Sequence, residues 1–541
     1  MNPAVGVDLG TTNTVVGVQV DATGPRTLNV MQPVDERSVL EPRDHIKSAV
    51  YFESAETAVV GAFAARRLDS FRSVKSRMGT RSRMPHPFRT DVRVTPSYIS
   101  AHILKLAFDE LLKQYPSWDR SALVTVPASF NTDQRSDTLR ASTLAGFQNV
   151  RLLDEPTAAF YYFFDQNRDS FRPRERQTVL VFDFGGGTLD VSIIRVEAEG
   201  EDLKIDAIGR SRYNNLGGDD IDTELAAFLL AIWEQQEGCL VEDLPIAERR
   251  LLFQLFLQRG SSYKEEAEFY LASGQNLNEF VINEELPVLG SRRLIHIQRE
   301  LTRAQYEDVS GRFFLDKGDL NIFRPIGQAL DVAGSIVPGF RKEDVDLVLY
   351  TGGASRMLGV RAALETYFAP KPCYSITDEE ACNTVALGAA SCRFDEQQGR
   401  QGVNMTSRLL ESILTRDDVA ASYVPVVPLT CEPSTDFRAV LGEFRVSRPA
   451  VTLRLPLFRG VGPMDHHLMP MQDLVLQLPN VVAAGVPYLL SYRMTENKTV
   501  QLRASFRPEV GPAFEVDSEV DIEQDAQDKG RTTRIPLARI N

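Results

Sequence analysis

Two short stretches of the chain repeat one pattern 175 positions apart: Val7-Asp8-Leu9-Gly10-Thr11-Thr12 and Phe182-Asp183-Phe184-Gly185-Gly186-Gly187-Thr188. Each is a β-forming run, an aspartate and a glycine/threonine turn. The residues after each turn, 14–20 and 189–194, are again rich in β-branched side chains, so each stretch reads as a hairpin. Walker-type phosphate loops lead from a strand into a helix instead, and neither G-x-x-x-x-G-K-[ST] nor G-x-G-x-x-G occurs in the sequence. Two such hairpins in one chain predict a duplicated half-domain holding a ligand between its halves. The alternative is a chance likeness between two unrelated hairpins.

The rest of the chain supports an α/β reading up to about residue 395. Ile99, Ile103, Leu106, Ala107 and Leu111 recur at helical spacing after Pro96. Residues 122–127 read as a buried strand ended by proline, and Asn131 or Thr132 as the cap of the next helix. A further apolar strand, residues 345–350, leads into Thr351-Gly352-Gly353-Ala354-Ser355-Arg356, and a small-residue helix covers residues 385–391. Strands separated by amphipathic helices indicate an α/β domain. Residues 395–402 are polar and carry glycines, the profile of a boundary. Beyond about residue 420 the helical period disappears. Val500, Leu502, Ala504 and Phe506 alternate with polar residues, and residues 487–494 are their expected hairpin partner. About 120 residues of short strands predict a small all-β sandwich.

Composition narrows the function classes. The 541 residues are 43% hydrophobic and 25% charged, as expected of several globular units. The formal charge of −14 argues against nucleic acid or an anionic membrane as partner. Arginine-rich stretches at 66–67, 72–83 and 89–93 are read as a solvated charged face. Five scattered cysteines form no C-x-x-C pair, and no apolar run or basic leader is visible, so the expected compartment is the cytoplasm. Asp465-His466-His467 reads as an exposed turn rather than a metal site. Cys373, Cys382 and Cys392 read as helix-core packing.

The paired turns suggest the chemistry. Backbone N–H groups of Gly10, Thr11 and Thr12, and of Gly185 to Thr188, make concavities suited to phosphate oxygens. Glycine lets the ligand approach where a Cβ would block it. Asp8 and Asp183 offer hard oxygens for magnesium. Either aspartate alone would be read as capping its turn; the pair is much more specific.

In order and spacing, Val7 to Asn13, Leu153-Asp154-Glu155-Pro156-Thr157-Ala158-Ala159, Val181 to Val191, Asn215-Leu216-Gly217-Gly218-Asp219-Asp220 and Gly352 to Arg356 resemble the nucleotide-binding domain of the 70-kDa heat-shock chaperones. The resemblance covers residues 1–395. It implies an actin-like (duplicated ribonuclease-H-like) α/β ATPase domain with ATP or ADP and Mg2+ in a central cleft. Leu476-Gln477-Leu478-Pro479 and Gly485-Val486-Pro487 resemble the late strands of that family's peptide-binding β-domain, placed here at 421–541 after a linker at 396–420. Implied partners are extended polypeptide and co-chaperones.

By resemblance, Asp8 and Asp183 are the metal residues, and Gly10, Thr11, Thr12, Asn13, Gly185, Gly186 and Gly187 hold phosphates. Glu155 sits over the phosphates, while Asp183 and Thr188 place the attacking water. Gly217, Gly218, Asp219 and Glu265 complete the nucleotide site. Gly352, Gly353, Ala354, Ser355 and Arg356 line its adenosine side, with Arg356 stacked on the base.

Three departures from the family pattern carry expectations. In Gly61-Ala62-Phe63-Ala64-Ala65-Arg66, Ala65 falls on the position of the family's catalytic lysine, which predicts slow hydrolysis unless Arg66 substitutes. That motivates a second reading, a nucleotide-switched scaffold with little turnover. Glu268 replaces a lysine, which predicts weaker nucleotide binding. Leu409-Leu410, Ile413-Leu414 and Asp418-Val419 resemble a degenerate apolar linker, and the absence of a helical lid sequence predicts fast peptide exchange.

Overall fold

In a computed structural model the two hairpins become the centres of two similar sheets. The structure describes residues 2–540 apart from 68, 81, 90, 168–175, 200–201, 213–215, 289–290, 319, 376–382, 400–402, 407, 418–421, 443, 466–467, 472, 508–511 and 520–536. Asn215, Cys382, Asp418, Val419, His466 and His467 therefore lie outside the described residues.

In the first lobe, Ala4–Leu9 pairs antiparallel with Asn13–Gln19 and parallel with Ala122–Val126, which pairs parallel with Val150–Asp154. In the second, Gln177–Phe184 pairs antiparallel with Leu189–Glu199 and parallel with Leu347–Thr351, which pairs parallel with Cys373–Ser375. The correspondence reaches single residues. Asp8 lies opposite Thr125 on its parallel neighbour, and Asp183 lies opposite Thr351 on its own. The repeat in sequence is a repeat in topology.

Strand interiors are apolar because both faces of each sheet are covered; Val5, Val7, Val124, Val179 and Val181 are almost wholly buried. Helix Thr384–Gln397 lies between the lobes, and its small residues allow close approach. A Cβ on Gly6 would stand 2.5 Å from the Ala386 carbonyl oxygen, one on Gly17 2.4 Å from the same atom, and one on Gly388 1.9 Å from the Ala158 carbonyl oxygen. These three positions admit only glycine without a backbone shift. The cap of helix Thr132–Ala145 is Asn131, which exchanges a reciprocal pair of bonds with Gln134.

The segment 396–420, expected as a linker, is built into both neighbours. Helix Thr384–Gln397 crosses its start, and Val403–Thr406 pairs parallel with Asp202–Arg210 in the second lobe's sheet. Ser412–Asp417 is then flanked by Ser422–Val427 and Leu457–Gly460. Leu409, Leu410, Ile413 and Leu414 are buried, which satisfies their apolar side chains without an exposed connection. Pairing partners some 200 residues upstream made this unreadable locally.

After that the described residues form strands, turns and connections only. Pro487–Met494 and Val500–Phe506 form the expected hairpin, Tyr488 opposite Phe506 and Met494 opposite Val500, and Phe514–Glu519 extends it. A shared apolar core holds Val426, Leu457, Leu476, Leu490, Leu502 and Phe506. No described helix is long and apolar enough to cross a membrane.

Candidate functional site

The two glycine turns face each other. A Cβ on Gly186 would stand 2.0 Å from Thr12 Oγ1, and one on Gly187 2.6 Å from Thr11 Cγ2. The third turn joins them: Gly217 abuts the Gly186 carbonyl, the Asp219 N–H donates to that carbonyl at 2.6 Å, and the Gly218 N–H donates to the Gly185 carbonyl at 3.0 Å. The fourth lies alongside. Gly352, in the left-handed region at φ 86°, sits under Phe184 and Asp183, and Ala354 approaches Gly218. Turns separated by some 340 residues thus meet at one place, and most of their glycines are required because a Cβ would collide with the facing turn or with the turn's own backbone.

Carboxylates gather at the floor. Asp8 accepts from Thr125 Oγ1 at 3.2 Å, while Asp183, Asp190 and Glu155 are buried beside it. Burial raises the pKa of Asp183 to about 7, and the charges of Asp8 and Asp190 push the same way. Burial likewise raises Asp8 and Asp190, opposed by a lysine charge in both cases. Glu155 rises well above its ordinary value, chiefly through burial and despite that lysine.

The lysine is Lys75, and the sequence reading missed it. Its Nζ lies 2.5 Å from Glu155 Oε1, both side chains are under a tenth exposed, and Asp8 and Asp183 add their attraction. Burial alone would lower its pKa; the surrounding carboxylates outweigh burial and raise it. Arg66 plays no such part, because its Nη1 donates to the Val34 carbonyl at 2.9 Å. The expectation of a missing cleft lysine, drawn from Ala65, is therefore corrected. So is the reading of residues 72–83 as wholly solvated. Lys75 stands in an arginine-rich run two residues after Ser73, whose backbone is left-handed at φ 51° and whose hydroxyl donates to Asp219 across the cleft at 3.0 Å. A single lysine among arginines was the available signal.

The remaining predicted residues divide. Asp219 is drawn into the cleft, its pKa raised to about 6 mainly by burial and by Asp222. Thr188 closes its turn by accepting from the Gly185 N–H at 3.0 Å. Thr11 and Ser355 are buried, whereas Gly353 and Arg356 are exposed at the rim. Glu265 is exposed on helix Ile246–Ala272. On that helix Lys264 reaches the site instead, 3.2 Å from the Gly218 carbonyl and 2.6 Å from Asp222 Oδ1. Glu268 is engaged structurally, accepting from the Tyr306 hydroxyl and the Leu358 N–H. A cation one turn earlier thus faces the position where Glu268 suggested a charge loss.

The donor set fits a polyphosphate with a hard cation. Four acids, Asp8, Glu155, Asp183 and Asp190, share one buried lysine, an excess of negative charge that a divalent ion would offset. Asn13 Oδ1 is buried without a partner among the described residues. No group of three His, Cys, Asp or Glu among the described residues forms an all-protein metal cage. Magnesium does not need one, since it is commonly held through water and phosphate oxygens.

The β-part is seated behind this floor. Asn497 Oδ1 accepts from the Leu152 N–H at 2.8 Å, and Lys498 Nζ reaches Asp154 Oδ2 at 2.6 Å. Glu411 lies 2.9 Å from Arg210 and 3.7 Å from Arg459; these arginines and Arg212 outweigh its burial and keep its pKa low. Asp465 pairs with Arg212 at 2.9 Å.

The family model described as "Hsp70 protein" matches residues 71–394. The chain is 31% identical over 435 residues to the "Chaperone protein DnaK" of Metamycoplasma hominis, covering 79% of this chain and 65% of that protein. It is also 31% identical to the proteins of that name from Mycoplasma mobile (390 residues, 71% of this chain and 57% of that one) and Thermotoga neapolitana (395 residues, 71% and 58%). The chain therefore spans roughly three fifths of the length of these relatives. With the match extending over more than half its length, the chain belongs to the Hsp70 family.

Proposed function

We propose that the chain is an Hsp70-type chaperone whose actin-like cleft binds ATP or ADP with Mg2+, hydrolyses ATP slowly, and thereby controls polypeptide binding by a β-sandwich domain. The facing turns Gly10–Thr12 and Gly185–Thr188 above Lys75, Asp8, Glu155 and Asp183 carry this reading. Family membership and the relatives named as chaperones support it. In this role the amides of the two turns other than Gly185, whose N–H is held by the Thr188 carbonyl, bind phosphate oxygens, and Lys75 neutralises charge that builds up during transfer. Asp8 and Asp183 would hold magnesium, which when bound would offset phosphate charge. Asp183 and Thr188 orient the attacking water. Such transfer needs positioning and electrostatics more than covalent help.

The scaffold alternative rested on a missing lysine, and Lys75 removes that motive. Extended polypeptide and co-chaperones as partners, and a cytoplasmic setting, belong to the same proposal.

Isothermal titration with Mg-ATP tests it. Wild-type protein should bind, and Asp8→Ala combined with Gly186→Val should abolish the heat, because a side chain at 186 would occupy the space of Thr12 Oγ1. Equal binding by the double variant would refute the site.

A further inference from the structure

Residues 537–540 return from the β-part to the first lobe and add a strand to it. Arg539–Ile540 runs parallel to Thr57–Val60, with Arg539 opposite Thr57 and Ile540 opposite Ala58. The Arg539 N–H donates to the Glu56 carbonyl at 2.7 Å. On its other side Thr57–Val60 pairs with Val50–Phe52, so residues 539–540 cover what is otherwise a sheet edge. Leu537, Ala538 and Ile540 pack on the first lobe's apolar core, and Arg539 points out.

The floor of this groove is a histidine in an unusual role. His102, on helix Pro96–Gln114, is wholly buried. Its Nδ1 lies 2.9 Å from the Tyr98 carbonyl, which can only accept, so Nδ1 carries the proton. The other nitrogen, Nε2, is then an acceptor, and it takes the Ala538 N–H at 3.1 Å across 436 residues of sequence. An imidazole stands where a strand would offer a carbonyl. Without residue 538 this buried acceptor would lose its partner, a costly state for any polar atom away from water. Ala538 is itself only 7% exposed, so the position beside His102 takes a small side chain.

We propose that the groove between Thr57–Val60 and His102 is a strand-accepting peptide site, distinct from the β-part, which the chain fills in cis with residues 537–540. Its ligand class is an extended apolar segment of the pattern Leu-Ala-x-Ile, bound by backbone pairing, with the small second residue set by His102. Strand addition of this kind draws affinity from main-chain bonds and specificity from alternate side chains. Since the last described strand before it, Phe514–Glu519, belongs to the β-part, filling the groove ties that part to the first lobe.

The test uses the full chain, wild type and Ala538→Arg, with a fluorescein-labelled peptide of residues 534–541. Anisotropy should show the peptide binding the Ala538→Arg protein at least tenfold more tightly than wild type, whose groove is occupied. Adding His102→Phe to Ala538→Arg should weaken that binding at least tenfold. A scrambled peptide binding equally well would overturn the proposal, as would equal affinity for wild type and variant. Hydrogen exchange on the unmodified protein gives a readout that does not depend on any variant folding. The Ala538 and Arg539 amides should exchange at least a hundredfold more slowly than in the free peptide, and excess free peptide should speed them. Free-peptide rates in the intact protein would refute the site, and protection accompanied by a dimeric mass in light scattering would refute filling in cis.

Discussion

Lys498 Nζ, at the tip of the hairpin joining Pro487–Met494 to Val500–Phe506, lies 2.6 Å from Asp154 Oδ2, one residue before the cleft carboxylate Glu155. Arg135 holds the other oxygen of Asp154 at 2.7 Å. Asp154 is fully engaged, and the two cations, working against its burial, depress its pKa far below the ordinary carboxylate range. The β-part therefore touches the strand end that delivers Glu155 to Lys75. Lys498→Ala should cost about 1–3 kcal/mol, less than a typical broken buried pair because Arg135 remains. It should also reduce any effect of ATP on hydrogen exchange in Ser412–Asp417. An unchanged urea midpoint with an unchanged ATP effect would show that the contact couples nothing.

Lys75 should matter to turnover, and Arg66 should not. Losing one preorganised charge donor slows a reaction by roughly 10²–10³, so single-turnover ATP hydrolysis by Lys75→Ala should fall by that order. Arg66→Ala should stay within a few-fold of wild type, since its guanidinium is spent on the Val34 carbonyl. The reverse ranking would return the role to Arg66.

Glycines at close backbone crossings should be intolerant, and those in open space should not. Gly388→Ala puts a Cβ 1.9 Å from the Ala158 carbonyl oxygen, and overpacking of this kind costs about 1–3 kcal/mol or more. Gly327, in helix Phe323–Ile336, has nothing within 4 Å of such a Cβ. Gly327→Ala should therefore stabilise by up to about 1 kcal/mol through helix propensity. Chemical denaturation of both variants checks the contrast, and equal losses would contradict the packing described for the interlobe helix.

Acid should loosen the first lobe through His102. Burial lowers its pKa to about 4 from an ordinary 6.5, the Tyr98 carbonyl opposes this, and His86 adds to it, with Arg89 the further cation near His86. A depressed folded pKa means that the stability contributed by the neutral ring is complete above pH 6.5 and is lost as pH falls from 6.5 through 4. The full loss is at most about 3.4 kcal/mol, from 1.36 kcal/mol per unit. The pH slope of unfolding free energy between 6.5 and 4 should shrink in His102→Gln, and an identical slope would remove His102 as its source.

Short-range chemistry made much of this molecule legible. A hairpin with an aspartate before a glycine turn is written in about ten consecutive residues, so both halves, their parallel neighbours and the late β-hairpin could be read in order. The Leu-Gly-Gly and Gly-Gly-Ala-Ser-Arg turns were legible for the same reason, their first glycines, Gly217 and Gly352, being fixed by approach distances of 2.2 and 2.5 Å. The side on which Glu265 lies and the strand partners of the 396–420 segment were not legible, because neither has a local marker for which face, or which distant strand, it meets.

What residue order determined by itself was the set of turns and the duplication that makes them face one another. Only the tertiary structure decided which cation answers the carboxylates and which strand covers the edge beside His102. Burial strips water from Glu155 and from His102 Nε2, and a desolvated charge or acceptor must take its partner from whatever the completed fold brings near: Lys75 80 residues before Glu155 in one case, Ala538 at the far end of the described chain in the other.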